Sequence, residues 1–296
     1  MITVSQPGDL RKQVGGWRQA GDSIGFVPTM GALHGGHLAL VERSSQLCDR
    51  TVVSVFVNPT QFGPNDDFET YPRDAESDAA LLEEKGCDLL FLPEVETIYP
   101  PGHTTFVEVG IQAKGLEGDE RPGHFRGVAT VVTQLFNLVQ PDLAVFGEKD
   151  AQQLAVIQQL VRDLHLPIEI VRHPIVREDD GLAMSSRNAY LSTEQRRAAT
   201  ALHRALGEAR KHFSEGERSA YRLKQAMRST LGLEPDLQID YAEVVDPQSF
   251  QPLSEVNGRA VLPIAVKLGN TRLIDSLELD QNTLPIKGTR YSIPNN

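Results

Sequence analysis

Phe26-Val27-Pro28-Thr29-Met30-Gly31-Ala32-Leu33-His34-Gly35-Gly36-His37-Leu38 carries an apolar run into a glycine-rich turn and out again into a helical pattern. The run 23–27 reads as a strand that Pro28 closes. Gly31 permits a tight turn, and Gly35 and Gly36 leave room for a ligand to approach the main chain. Leu38, Val41 and Leu47 then recur at near-helical intervals, which places His37 in the first helical turn, where unpaired N–H groups and the helix dipole favour an anion. His34 and His37 stand three apart, so both imidazoles can face one spot and donate N–H groups to phosphate oxygens.

The four residues His34-Gly35-Gly36-His37 resemble the HIGH signature of nucleotidyl-transferring α/β proteins. A zinc pair and two surface histidines on an ordinary turn are the competing readings. Zinc needs a third and usually a fourth ligand, and no nearby Cys or His cluster supplies them. The strand-turn-helix context favours phosphate.

A chain of 296 residues, 40% of them hydrophobic, can supply a real core and divides more readily into two domains than one. No apolar run approaches the roughly 20 residues that cross a bilayer, and residues 1–20 lack the pattern of a signal peptide, so a soluble cytoplasmic protein is expected. Cys48 and Cys87 form no Cys-x-x-Cys pair, which argues against a disulfide framework. The net charge of -11 opposes a broad electrostatic footprint for nucleic acid, while a local cluster of donors can still hold a small anion.

Around the opening stretch, residues 7–20 read as a helix and 51–57 as a strand covered on both faces. Asn58 and Gln61 follow that strand's carboxyl end, on the rim where open α/β sheets bind ligands. A helix over 74–85 and strands over 89–92 and 106–109 come next, then a glycine-rich, charged connection over 114–123 that reads as mobile. Arg121, His124 and Arg126 precede a helix over 128–139. The strand 143–146 runs into Gly147-Glu148-Lys149-Asp150 and a helix over 151–164, with Asp150 at the N-cap and Gln152 and Gln153 in the first turn. There the Lys149 ammonium can meet a polyphosphate. A strand over 168–171 ends this half.

Past Val176 the pattern turns α+β. Met184-Ser185-Ser186-Arg187-Asn188 is an uncharged loop ending in one arginine. Ser192 and Gln195 form a capping box for a helix over 193–213; a second helix covers 221–231, and strands over 237–245, 259–267 and 271–279 include a hairpin turned at Gly269-Asn270. The expected fold class is therefore α/β, a Rossmann-like parallel sheet with a HIGH-type nucleotide site, plus a smaller α+β C-terminal domain. Its expected divisions are a nucleotide- and substrate-binding domain over 1–175, a lid over 176–283 and a loose tail over 284–296.

Taken in order, residues 28–38, 53–62, Tyr71-Pro72-Arg73, 121–132, 146–154 and Met184 to Asn188 resemble the pantoate and β-alanine ligase family. The likeness runs from the first strand to about Leu191, and on to Leu279. It implies a two-step reaction: the pantoate carboxylate attacks the α-phosphorus of ATP and releases pyrophosphate, then the amine of β-alanine displaces AMP. No enzyme nucleophile is needed, so the protein's work is positioning and neutralising charge. The resemblance implies that ATP meets Met30, Gly31, Ala32, Leu33, His34, Gly35, Gly36 and His37, with His37 the proton donor. Lys149, Met184, Ser185, Ser186 and Arg187 would hold the triphosphate from the opposite side, and Gly147, Glu148, Asp150 and Val176 would frame the adenosine. Gln61 and Gln153 would clasp pantoate, with Asn58 and Arg121 lining the same cavity. Mg2+ is implied by the ATP chemistry, with Asp78 and Asp150 the carboxylates considered for it. Family likeness suggests a homodimer through the first domain. The loop at Met184 stands where related enzymes carry Lys-Met-Ser-Lys-Ser, without the first lysine.

A nucleotidylyltransferase acting on a phosphorylated acceptor would share the histidines but needs several basic residues for its acceptor, whereas Asn58-Pro59-Thr60-Gln61 is neutral. An aminoacyl-tRNA synthetase lacks a basic surface here. A nucleotide-binding sensor differs by releasing no pyrophosphate.

Overall fold

The computed structural model describes residues 1–64 and 66–281. The tail over 284–296 and the last two residues of the expected lid lie outside them. Strand β1 (Ile2–Val4), helix α1 (Pro7–Ala20), β2 (Ile24–Thr29), α2 (Gly35–Leu47), β3 (Arg50–Val55), α3 (Ala75–Glu84) and β4 (Leu89–Phe91) build one side of a parallel sheet. Short helices α4 (Val95–Ile98) and α5 (Glu117–Glu120) precede α6 (His124–Val139), β5 (Leu143–Gly147), α7 (Ala151–Asp163) and β6 (Glu169–His173). The six strands lie in the order β1-β4-β3-β2-β5-β6, every pairing parallel.

Successive residues of a strand face opposite sides, so a sheet covered twice demands continuous apolar runs. Phe26, Val52, Leu89 and Ala144 pack with Leu10 of α1, Leu135 of α6 and Ile157 of α7 on one face. Val27, Val53, Leu90 and Val145 pack with Val41 of α2 and Leu82 of α3 on the other. The chain thus winds from β2 to β4 across one face and from β4 to β6 across the other. The reversal falls between β2 and β5, where open α/β sheets form their ligand crevice.

The remaining chain forms α8 (Thr193–Ala199), α9 (Ala201–Ser214) and α10 (Ala220–Leu231), packed on an antiparallel sheet of β7 (Leu237–Ala242), β8 (Arg259–Leu268) and β9 (Thr271–Asp280). This half has its own core. A small apolar cluster of Ala155 from α7 with Val245, Phe250 and Val261 joins it to the parallel sheet.

Several expectations change in the structure. Residues 106–109 form no strand: the Val107 N–H donates to Thr130 Oγ1, and Val107 and Val109 pack on the sheet's core. Their alternation reflects a packed edge of chain with no strand beside it. Helix α6 begins at His124, four residues before its apolar pattern, after Gly123 takes φ +86°. The single helix expected over 193–213 breaks at Thr200, whose hydroxyl donates to the Arg197 carbonyl. Its capping box forms as expected. The connection 114–123 is pinned, because Glu117 is buried in ion pairs. Strand β7 ends at Ala242, three residues short of the expected run, and the edge strand β1 was too brief to show a period.

Gly127 sits where α6 presses on the turn after β3; a Cβ there would lie 2.4 Å from the Thr60 carbonyl oxygen. Gly127→Ala should lower stability by about 1–3 kcal/mol, because backbone must give way on one side. Urea unfolding of the variant measures this, and an unchanged midpoint would show that the turn yields freely.

Candidate active site

At the carboxyl end of β2 the chain must turn within a few residues to start α2. Gly31 takes φ +83° and Ala32 φ +50°, and the exposed N–H groups of this bend need partners. Asp78, from α3, supplies them: its two carboxylate oxygens accept from Ala32 N–H at 3.0 Å and Leu33 N–H at 2.8 Å. Burial raises the Asp78 pKa and these two bonds oppose the rise. Asp78 is therefore a brace for the turn, with both oxygens already engaged, and does not suit the magnesium role considered for it.

His34 is the N-cap of α2, and its Nδ1 accepts the Gly36 N–H at 3.1 Å. An imidazole that accepts at Nδ1 keeps its proton on Nε2, which leaves one donor for a ligand. The His37 ring lies 4.1 Å from the His34 ring, and its Nδ1 is enclosed with no hydrogen-bond partner among the described residues. Burial, then the Lys149 charge, lower the His34 pKa to about 4, against a smaller opposing effect of Asp150; burial, His34 and Lys149 lower that of His37 to about 3. Both rings are neutral at pH 7. The spacing of three does bring them to one spot, as a tilted, partly enclosed pair and not as two surface groups. A neutral His37 can act as a hydrogen-bond donor.

Lys149 reaches this pair from the end of β5, across the switch in strand order. It has no ion-pair partner among the described residues. Asp150 holds the N-cap position of α7 but makes no capping bond, and its exposed carboxylate stays at the cleft. The Glu148 side chain instead turns to Arg172 at 3.0 Å, and the Gln152 amide is consumed by the carbonyls of Gln112, Lys114 and Gly115 and by the Glu117 N–H. Gln153 has no such bonds among the described residues and lines a small cavity with Lys149 and His124.

Beyond β3, Asn58 is 1% exposed and saturated: its Nδ2 donates to Gln61 Oε1 at 3.0 Å and to the Gly127 carbonyl, while its Oδ1 accepts from Tyr99 and Thr60. Asn58 thus orients Gln61 and does not line the cavity. With its Oε1 occupied, Gln61 turns its Nε2 toward Met30 Sδ, 2.9 Å away, which brings the amide beside the glycine turn. Arg121 donates to Asp66 at 3.0 Å and 3.2 Å and to the Gln61 carbonyl. His124, the neighbour of Arg121, lies between that guanidinium and the same carbonyl.

The Met184 loop closes the site from the C-terminal half. Met184 Sδ packs 3.0 Å from where a Gly35 Cβ would stand, so a larger residue there would push the methionine aside. The Met184 N–H donates to the Val176 carbonyl. Ser185 caps the short turn Ser186–Tyr190, and Arg187 is held bidentate by Asp67 at 2.9 Å and 3.1 Å. A cleft of about 770 Å³ lies between the halves, lined among others by Lys149, Asp150, Ser185, Arg187 and, from the β8 to β9 hairpin, Lys267 and Arg272. The roles of Asp66, Asp67, Glu117 and Arg272 were not legible, since acidic loop residues and a strand arginine carry no period that marks them.

A doubly wound sheet with a paired-histidine turn and a lysine across its switch point defines an ATP-using enzyme of the HIGH-motif class. The profile of the Pantoate-beta-alanine ligase family matches residues 2–278. The pantothenate synthetase of Herpetosiphon aurantiacus is 56% identical over 255 residues, 86% of this chain and 92% of that protein. That of Pelotomaculum thermopropionicum is 51% identical over 281 residues, 95% and 100%. Among solved structures, the Thermus thermophilus pantothenate synthetase superposes with a TM-score of 0.89 at 49% identity, covering 94% of this chain and 99% of that one. The Francisella tularensis pantoate-beta-alanine ligase, complexed with β-γ ATP and β-alanine, gives 0.75 at 34%, covering 94% and 97%. The chain belongs to the pantoate-β-alanine ligase family, and its activity is the ligation that produces pantothenate.

Unfolded histidine titrates near 6.5, above both folded values. Between those limits the unfolded chain binds more protons, so the stability contributed by the neutral pair is present above the unfolded pKa and is lost as pH falls. The double variant His34→Gln/His37→Gln should lose less stability than the wild type between about pH 7 and pH 4. Denaturation at the two pH values reads this; equal losses would show that the pair is not held neutral.

Proposed function

We propose that the ligation runs through a pantoyl adenylate formed at the switch between β2 and β5. The observation that carries this reading is Lys149, an unpaired cation beside two neutral imidazoles. A triphosphate laid there would accept hydrogen bonds from His34 Nε2 and His37 while Lys149 offsets its charge. The turn from Met30 to Gly36 would carry the phosphates, with Gly147 and the backbone at Val176 toward the adenosine, and Ser185, Ser186 and Arg187 on the facing side.

In the first step a pantoate carboxylate oxygen bonds to the α-phosphorus, the bond from that phosphorus to the bridging oxygen breaks, and pyrophosphate leaves with the electron pair. In the second, the β-alanine nitrogen bonds to the acyl carbon and gives up a proton to solvent, the bond from that carbon to the oxygen shared with phosphorus breaks, and AMP departs with that oxygen and the electron pair. Gln61, pre-aimed by Asn58, and Gln153 would hold pantoate, and Arg121 would bound its pocket. Arg187 must exchange Asp67 for phosphate to take part.

Among the described residues no group of three or more His, Cys, Asp and Glu side chains could cage a metal. The free Asp150 carboxylate fits Mg2+ held mainly by phosphate oxygens. Bound there, Mg2+ would neutralise charge on the phosphates. We place the boundary between the two domains near residue 175, supported by their separate cores, and infer a homodimer through the first domain, where Phe106 and Ile111 are exposed on a stretch that joins neither sheet. Two free thiols suit the cytoplasm.

The reading requires AMP and pyrophosphate in equal amounts, dependent on pantoate; ADP as the stoichiometric product overturns it. Gln61→Ala should raise the pantoate requirement by about ten-fold or more with little change for ATP, the cost of one unsatisfied buried partner. Lys149→Ala should instead slow adenylation by about 100-fold or more. It should spare the reaction of synthetic pantoyl adenylate with β-alanine. Equal impairment of both half-reactions would remove Lys149 from the phosphate site.

A further inference from the structure

Glu117 stands where the two halves of the molecule meet. Its Oε1 accepts from Arg272 at 2.6 Å and from the Tyr241 hydroxyl at 2.6 Å, and its Oε2 accepts from Arg272 at 2.8 Å. Both partners belong to the C-terminal sheet. The same Oε2 faces the Arg121 guanidinium at 4.0 Å, and the Glu117 N–H donates to Gln152 Oε1 in the first turn of α7 at 3.0 Å. Arg272 is held on its other side by Asp240 at 2.7 Å.

Glu117 is 7% exposed, a position where an unpaired charge is costly. Burial alone would raise its pKa; the Arg272 bonds and charge, with Tyr241, outweigh burial and hold it below the usual range. The carboxylate separates two guanidiniums that would otherwise repel across the cleft, one rooted in the C-terminal sheet and one beside the Gln61 carbonyl. Few groups could transmit the seating of one half to the other so directly, since no ion pair other than those of Glu117 leads from the C-terminal sheet to Arg121 among the described residues.

We propose that Glu117 is a positioning residue that ties the seating of the C-terminal sheet, through Arg272, to the placement of Arg121 and with it the pantoate pocket. The proposal rests on the ligase reading for the identity of that pocket. A merely structural ion pair would alter stability and leave substrate preference alone, whereas a coupling element moves pantoate binding from a residue in the other half of the chain.

Pantoate and ATP binding are measured by calorimetry, beside pyrophosphate release, for wild type, Glu117→Gln, Arg272→Gln, Arg272→Lys and the double variant Glu117→Gln/Arg272→Gln. Arg272→Gln should weaken pantoate by about ten-fold and ATP by no more than about two-fold, with Glu117→Gln alike and the double variant no worse than either alone. Arg272→Lys, which keeps the charge but loses the fork, should fall between and serves if a neutral variant fails to fold. Pantoate affinity at the wild-type value in Arg272→Gln and Arg272→Lys, whatever their melting temperatures, overturns the coupling, as does an additive double variant. Wild-type protein that binds pantoate without releasing pyrophosphate removes the ligase reading and leaves the coupling to the binding data; protein that does not bind pantoate removes both.

Discussion

Strand β2 pairs with β3 on one side and β5 on the other, while α2 leaves β2 toward one face of the sheet and α7 leaves β5 toward the opposite face. Two helices that diverge from neighbouring strand ends leave an opening that no side chain of the sheet fills. Everything polar in the site hangs on this opening. Histidines come from the turn after β2, the lysine from the turn after β5, and the amides from the turn after β3 and the start of α7.

The turn after β2 is expensive to hold, with two successive residues at positive φ and N–H groups pointing away from any ladder. Asp78 compensates from α3, and Thr29 adds a bond from the Gly31 N–H to its hydroxyl at 3.3 Å. A site built this way is set before any ligand arrives. The same logic recurs at Asn58, whose four partners fix which end of the Gln61 amide faces the glycine turn. Preorganised donors suit the proposed reaction, which uses no enzyme nucleophile and draws its acceleration from geometry and charge.

Charge is distributed by the same rule. Arg121 and Arg187 are both paired, with the adjacent Asp66 and Asp67, while Lys149 is left open. Two guanidiniums held by one acidic loop keep the cleft from being a bare cationic trap in an acidic protein. Their release by a polyanion would exchange one set of charge-assisted bonds for another.

Local chemistry let the sequence place most strands of the sheet, though not β1 and with one strand too many over 106–109, and set the histidine turn and Lys149 at strand ends. Continuous apolar runs such as Val52 to Val55 suit strands covered twice, and glycines between a strand and a helix allow a tight turn that a ligand can approach. The capping box at Ser192 was readable for the same reason, its partners lying three residues apart. Tertiary structure alone decided which polar residues meet the cleft and which support it. Asp78, Asn58 and Gln152 read as available groups and Glu117 went unmarked, yet each is spent on partners that lie between 2 and 155 residues away along the chain. Whether a carboxylate or amide is free depends on who satisfies it once buried, and that partner is chosen by packing across the fold, which leaves no period in the sequence.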